Sequence, residues 1–103
     1  MPVTLCVLLW ETEGNGDLLA EYEDAVLALV PEHGGVVHER VRRPAVPGEP
    51  RGEDPLEVQV IELPDDAALA AYLADPRRTA LADVRDRAVA RTQIVSVDRV
   101  GGR

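Results

Sequence analysis

The segment that most constrains this chain is Val3–Glu11, VTLCVLLWE, which is apolar at nearly every position. It closes on Gly14-Asn15-Gly16, a turn signal, so it reads as a short strand. A strand with one face in water alternates apolar and polar residues, and this one does not. Cys6, Leu8 and Trp10 fall on one side, and Val3, Leu5, Val7 and Leu9 on the other. Both faces must therefore be covered. A chain of 103 residues has room for one domain, spanning 1–103, with one core. Such a chain hides only about two-thirds of its unfolded surface. Covering the second face calls for a second copy.

The rest of the pattern says what covers the first face. Asp17 offers a helix cap, after which Leu18, Tyr22, Ala25, Val26 and Leu29 recur at helical spacing. Pro31 loosens the last turn and Gly34-Gly35 stops it. Val36–Arg43 reads as a second strand, with Val37, Glu39 and Val41 opposed to Val36, His38, Arg40 and Arg42. Pro44–Pro55, with four prolines and two glycines, is an irregular loop. Leu56–Leu63 alternates, with Leu56, Val58 and Val60 on one face, Glu57 and Gln59 on the other, and Ile61 the exception. Asp65-Asp66 opens a second helix with Leu69 and Leu73 inward. Asp75-Pro76 breaks and restarts that helix, which runs to about Arg91 with Leu81, Val84 and Ala88 on one face. Gln93–Val100 is the last strand.

The order is β-α-β-β-α-β. This is the α+β, ferredoxin-like plan, a four-stranded antiparallel sheet with the helices on one face. The second helix is broken at Asp75-Pro76. The uncovered face is where a second copy packs sheet to sheet as a homodimer.

That plan, the EHGG run of Glu32–Gly35 before a strand, and the segment AYLADPRRTALADVRDRAVART from Ala71 to Thr92 resemble the dimeric α+β-barrel superfamily. Within it, the likeness is to small, mostly uncharacterised bacterial members, and it spans nearly the whole chain. The resemblance implies dimerisation through the sheets and a site in the cleft between sheet and helices. It implies action on a small molecule, as by a cofactor-independent monooxygenase, cyclase or isomerase of secondary metabolism. Haem-degrading relatives fit less well, because the second helix has no histidine.

Composition removes other functions. A net charge of −8 and a pI near 4.6 exclude non-specific nucleic-acid binding, which needs cations for the phosphates. Cys6 is the single cysteine, so no internal disulfide is possible. The apolar run Leu5–Trp10 is too short for a signal peptide or membrane span, so a cytoplasmic protein with no membrane partner is expected. No CxxC, phosphate-binding glycine loop or nucleophile elbow is present, and no bound cofactor is expected. His33 and His38 do not match a metal-ligand spacing, and no metal is expected.

Four residues remain as candidates for chemistry: His38, Tyr22, Arg85 and Arg40. His38 lies in a strand with Arg40 and Glu57 as possible neighbours, and an imidazole suits proton transfer near neutral pH. Arg85 falls among Leu81, Val84 and Ala88, inside the apolar stripe, where it either snorkels or grips an anionic oxygen in a cavity. Tyr22 sits on the buried stripe of the first helix, either as core or as the polar end of a pocket. Together they describe proton transfer or oxyanion stabilisation on an aromatic or polyketide-like molecule. In the alternative, a non-catalytic dimeric binding protein, the same residues are structural. The enzyme reading in this form requires His38 and Arg85 to open onto one cavity.

Overall fold

Val3–Glu11 forms the strand β1, as the apolar run predicts, and it lies inside the sheet. The computed structural model describes residues 1–44 and 53–100, so most of the proline-rich segment and the last three residues lie outside it. Helix α1 spans Gly16–Leu27 and is followed by a 3₁₀ turn, Pro31–His33. Strands β2 (Val36–Arg42) and β3 (Glu57–Leu63) come next. The second helical region is in three pieces, α2 (Asp66–Leu73), α3 (Pro76–Thr79) and α4 (Ala82–Ala88), and β4 (Val89–Ser96) ends the fold. The strands lie in the order β2-β3-β1-β4, every neighbouring pair antiparallel. This is the ferredoxin-like plan.

The pleat sorts the side chains. Leu5, Val7 and Leu9 of β1 join Ile61 and Leu63 of β3 beneath the helices, in a core completed by Leu19, Leu27, Val30 and Tyr72. Cys6, Leu8 and Trp10, with Val58 and Val60, are half-buried on the uncovered face. Beside them Val36, Val41 and Val95 are 48%, 51% and 42% exposed. Each of the four strands thus contributes apolar side chains to the uncovered face.

Several local expectations change. Asn15, not Asp17, occupies the cap position of α1, and its side-chain amide donates to the Arg87 carbonyl at 2.7 Å instead of capping its own helix. The inward stripe of α1 is Leu19, Tyr22, Glu23, Val26 and Leu27, while Ala25 is exposed. Leu73 is also exposed, and Tyr72 takes the inward place on α2. Both aspartate caps of the broken helix do form, Asp65 accepting from the Ala68 amide at 2.8 Å and Asp75 from the Arg77 amide at 2.9 Å. The last helix stops at Ala88 and β4 starts at once, because Val89 and the residues after it find partners along Trp10 and Glu11. Its ladder ends at Ser96 opposite Leu5, close to where β1 itself begins.

Gly34 and Gly35 end the first half for two different reasons. Gly34 has φ 79° and closes the 3₁₀ turn in the left-handed region, where glycine is unstrained. Gly35 is needed for space. A Cβ there meets the Glu62 carbonyl oxygen at 2.5 Å, Val30 Cγ1 at 2.8 Å and Leu63 Cδ2 at 2.9 Å. Gly35→Ala is therefore expected to lower stability by about 1–3 kcal/mol, the cost of overpacking, measured by urea unfolding. An unchanged midpoint refutes this account of Gly35.

Candidate functional site

The site begins with an irregularity in β2. Val37 pairs with Ile61 but Glu39 with Val60, so His38 is an extra residue and the strand changes phase there. Arg40 and Arg42 consequently face Gln59 and Glu57 on the helix side, and His38 turns to the uncovered side. There its Nε2 lies 3.0 Å from Glu62 Oε1, in a patch with Val60, Val97 and Arg99. The expected closeness of His38 to Arg40 and Glu57 does not occur, and the bulge is the reason.

Beneath the helices, β3 buries two polar side chains where its alternation promised only a polar face. Glu57 is fully buried and Gln59 is 2% exposed. Arg40 Nε donates to Glu57 Oε2 at 2.6 Å, and Arg42 Nη2 donates to Oε1 at 2.7 Å. Arg40 also reaches Asp24 at 2.7 Å. The Gln59 amide nitrogen donates to Glu57 Oε2 and to Glu23 Oε1, both at 2.7 Å. Burial pushes the Glu57 carboxyl up, but hydrogen bonds from Arg40, Gln59 and Arg42 outweigh it and hold the group below the ordinary glutamate value. Glu23 goes the other way. Its burial, reinforced by the Glu57 charge and only partly offset by the Gln59 hydrogen bond, raises it above the ordinary value.

Glu23 borders a cavity of about 230 Å³ between the sheet and the helices. The floor is Leu5, Val7, Leu9 and Ile61, and Val26, Leu69 and Leu73 stand over it. Exposed Ile94 and Leu73 mark its mouth. Polar groups enter the wall at few points, chiefly Glu23, Arg78, Arg85 and Thr92. Arg85 Nη2 lies 3.5 Å from Thr92 Oγ1 and Arg78 sits over the Tyr72 ring at 5.2 Å. The Tyr72 hydroxyl donates to the Val26 carbonyl at 3.1 Å, which pins α2 to α1 beside the cavity. An apolar pocket with a few converging polar groups is the usual form of a small-molecule site.

Of the four residues singled out from sequence, the cavity takes one. Arg85 lines it. Tyr22 is 4% exposed on α1, and burial raises its phenol above the ordinary value, but it is not part of the cavity wall. Arg40 is engaged by Glu57 and Asp24. His38 lies across the sheet, so His38 and Arg85 do not share a cavity. Glu23, Gln59 and Arg78 also line the cavity and are not among those four. For Glu23 the signal was present, since it stands four residues after Leu19 and three before Val26 in the inward stripe.

The second histidine has a structural place. His33 Nε2 lies 2.8 Å from Asp75 Oδ2, and Arg77 binds the same carboxylate at 2.8 Å while reaching Glu32. Hydrogen bonds from Arg77 and His33 hold Asp75 well below the usual carboxylate range. Among the described residues, no three His, Cys, Asp or Glu side chains are gathered to hold a metal ion. Nor is any helix among them long and apolar enough to cross a membrane.

No protein-family model matches this chain, and no curated protein does. Solved structures do. A protein of unknown function from Rhodopseudomonas palustris superposes with TM-score 0.74 at 18% identity, covering 96% of this chain and 82% of that one. A dimeric ferredoxin-like protein of unknown function from Jannaschia sp. CCS1 gives 0.67 at 21% identity, covering 96% and 100%. A dimeric protein of unknown function and ferredoxin-like fold from Bacteroides fragilis gives 0.66 at 13% identity, covering 95% and 96%. At these identities the likeness is one of fold. The chain has the ferredoxin-like fold described for the Jannaschia and Bacteroides proteins.

Proposed function

We propose that the chain binds a small, flat, mainly apolar molecule in the sheet–helix cavity and moves a proton on it with Glu23. The observation that carries this reading is a carboxyl raised above its ordinary value at the edge of an apolar cavity that also holds Arg85. Glu23 takes a proton from a carbon next to a carbonyl, and the electron pair moves onto the carbonyl oxygen. Arg85 supplies positive charge for that oxygen. Returning the proton at another carbon is isomerisation, and attack of the carbanion on a second carbonyl is cyclisation. Among the activities the sequence resemblance implies, both of these begin with proton abstraction.

The remaining candidates act at a distance in this reading. Arg40 holds Glu57, whose charge helps keep Glu23 basic. His38 belongs to the other side of the sheet. We further propose that the uncovered faces of two copies meet in a homodimer, which hides Val36, Val41 and Val95. The dimeric state of the Jannaschia and Bacteroides proteins supports it.

Exchange of the C1 protons of 2-tetralone for deuterium, followed by NMR in D₂O, tests the chemistry. The protein is expected to accelerate exchange, and Glu23→Gln to reduce that acceleration by about 10²-fold or more, the usual worth of a positioned base. Exchange no faster than in buffer alone overturns the proton transfer and leaves a non-catalytic binding module.

A further inference from the structure

All eleven basic residues of this chain are arginines, against nineteen acids. Arg40, Arg42, Arg43 and Arg77 each take one at 2.5–2.8 Å. Arg78 does not. It follows Arg77 directly, yet Arg77 is held between Asp75 and Glu32 while Arg78 turns into the cavity wall. There its Nε is buried and has no hydrogen-bond partner. Its guanidinium lies over Tyr72 and also interacts with the Tyr72 hydroxyl, and neither contact supplies an acceptor for Nε. The nearest acid in the wall, Glu23, already has Oε1 taken by Gln59.

A buried donor left unmade is costly, and a guanidinium is planar, permanently charged and shaped for a carboxylate. Resting on the proposed small-molecule site, we infer that Arg78 is its carboxylate-binding residue, so the natural ligand is an organic acid. The acid group sits on Arg78 and the flat apolar body lies on Leu5, Val7 and Ile61. Arg78 is thereby distinct from Arg85: it holds a charge the ligand carries throughout, and sets where the reacting carbon lies relative to Glu23. It positions; it does not react.

Calorimetric titration with 2-naphthoate and with 2-naphthylmethanol separates the possibilities, because the two share a ring system and differ in charge. The intact protein is expected to bind the acid at least tenfold more tightly than the alcohol. Arg78→Gln should remove that preference and leave the affinity for the alcohol unchanged, while Arg87→Gln, on the exposed side of α4, changes neither. Equal affinity for acid and alcohol in the intact protein overturns the inference and leaves the cavity site standing. So does an equal loss of both in Arg78→Gln, which marks a structural role. No binding of either compound overturns the inference together with the site on which it rests.

Discussion

Glu57→Gln lowers the stability of the fold by about 3 kcal/mol, seen as a fall in melting temperature of about 12–24 °C. Glu57 is fully buried and is the shared acceptor of Arg40, Arg42 and Gln59. An amide of the same shape keeps the packing and removes the charge, leaving Arg42 without its carboxylate and Arg40 with Asp24 alone. Both arginines retain some water, their side chains being 27% and 43% exposed, which keeps the loss at the low end for a broken buried pair. The pH dependence gives a second handle. The Glu57 carboxyl is held below its ordinary value in the folded protein. Its contribution is therefore complete above the unfolded value of about 4.3 and is lost as pH falls through the folded one. Urea unfolding at pH 7 should separate the two proteins, and the gap should close in stronger acid. Equal midpoints at pH 7 would mean that the buried charge adds nothing to folding.

Val41→Asp converts the proposed dimer to monomers, raising its dissociation constant by about 10³-fold or more. The uncovered sheet face meets its own copy about a two-fold axis, so one substitution puts two carboxylates into one interface. Stripping water from each costs several kcal/mol. Within one protomer Val41 is 51% exposed, so the same change costs the isolated fold little. Sedimentation velocity reads the assembly, and circular dichroism checks that the monomer remains folded. A folded Val41→Asp protein that sediments as the parent does places the interface elsewhere.

How far the sequence carries differs between the frame and the site. The strand positions, the two aspartate caps and the glycine stop follow from local chemistry, in which neighbours a few residues apart decide the outcome. The site follows from phase. Strict alternation puts His38 beside Arg40 and Glu57, and one extra residue opposite Val60 sends it to the other side. No rule of spacing announces that bulge, because it is set by which residues of β3 and β2 find each other across a long loop. Arg78 was hidden similarly. The break at Asp75-Pro76 resets the helical angle, so the stripe counted from Leu81 does not extend back to it. Alternation separates Glu57 and Gln59 from the apolar residues of β3 without saying which face is inside. Only the two arginines opposite Glu57 and Gln59 make their burial tolerable.

The same bulge also governs how the sheet meets other chains. β2 and β4 are its two outermost strands, and an outer strand with a regular row of free amides and carbonyls is a template on which another chain can pair. Neither is regular. The ladder slips at His38 on β2, and slips again where Trp10 pairs with Arg91 but Glu11 with Val89, leaving Ala90 extra on β4. Each slip interrupts the row and adds twist, so an incoming strand loses register after a few residues. Both margins are thereby guarded against open-ended strand addition, and growth of the sheet into a fibre is discouraged at either end.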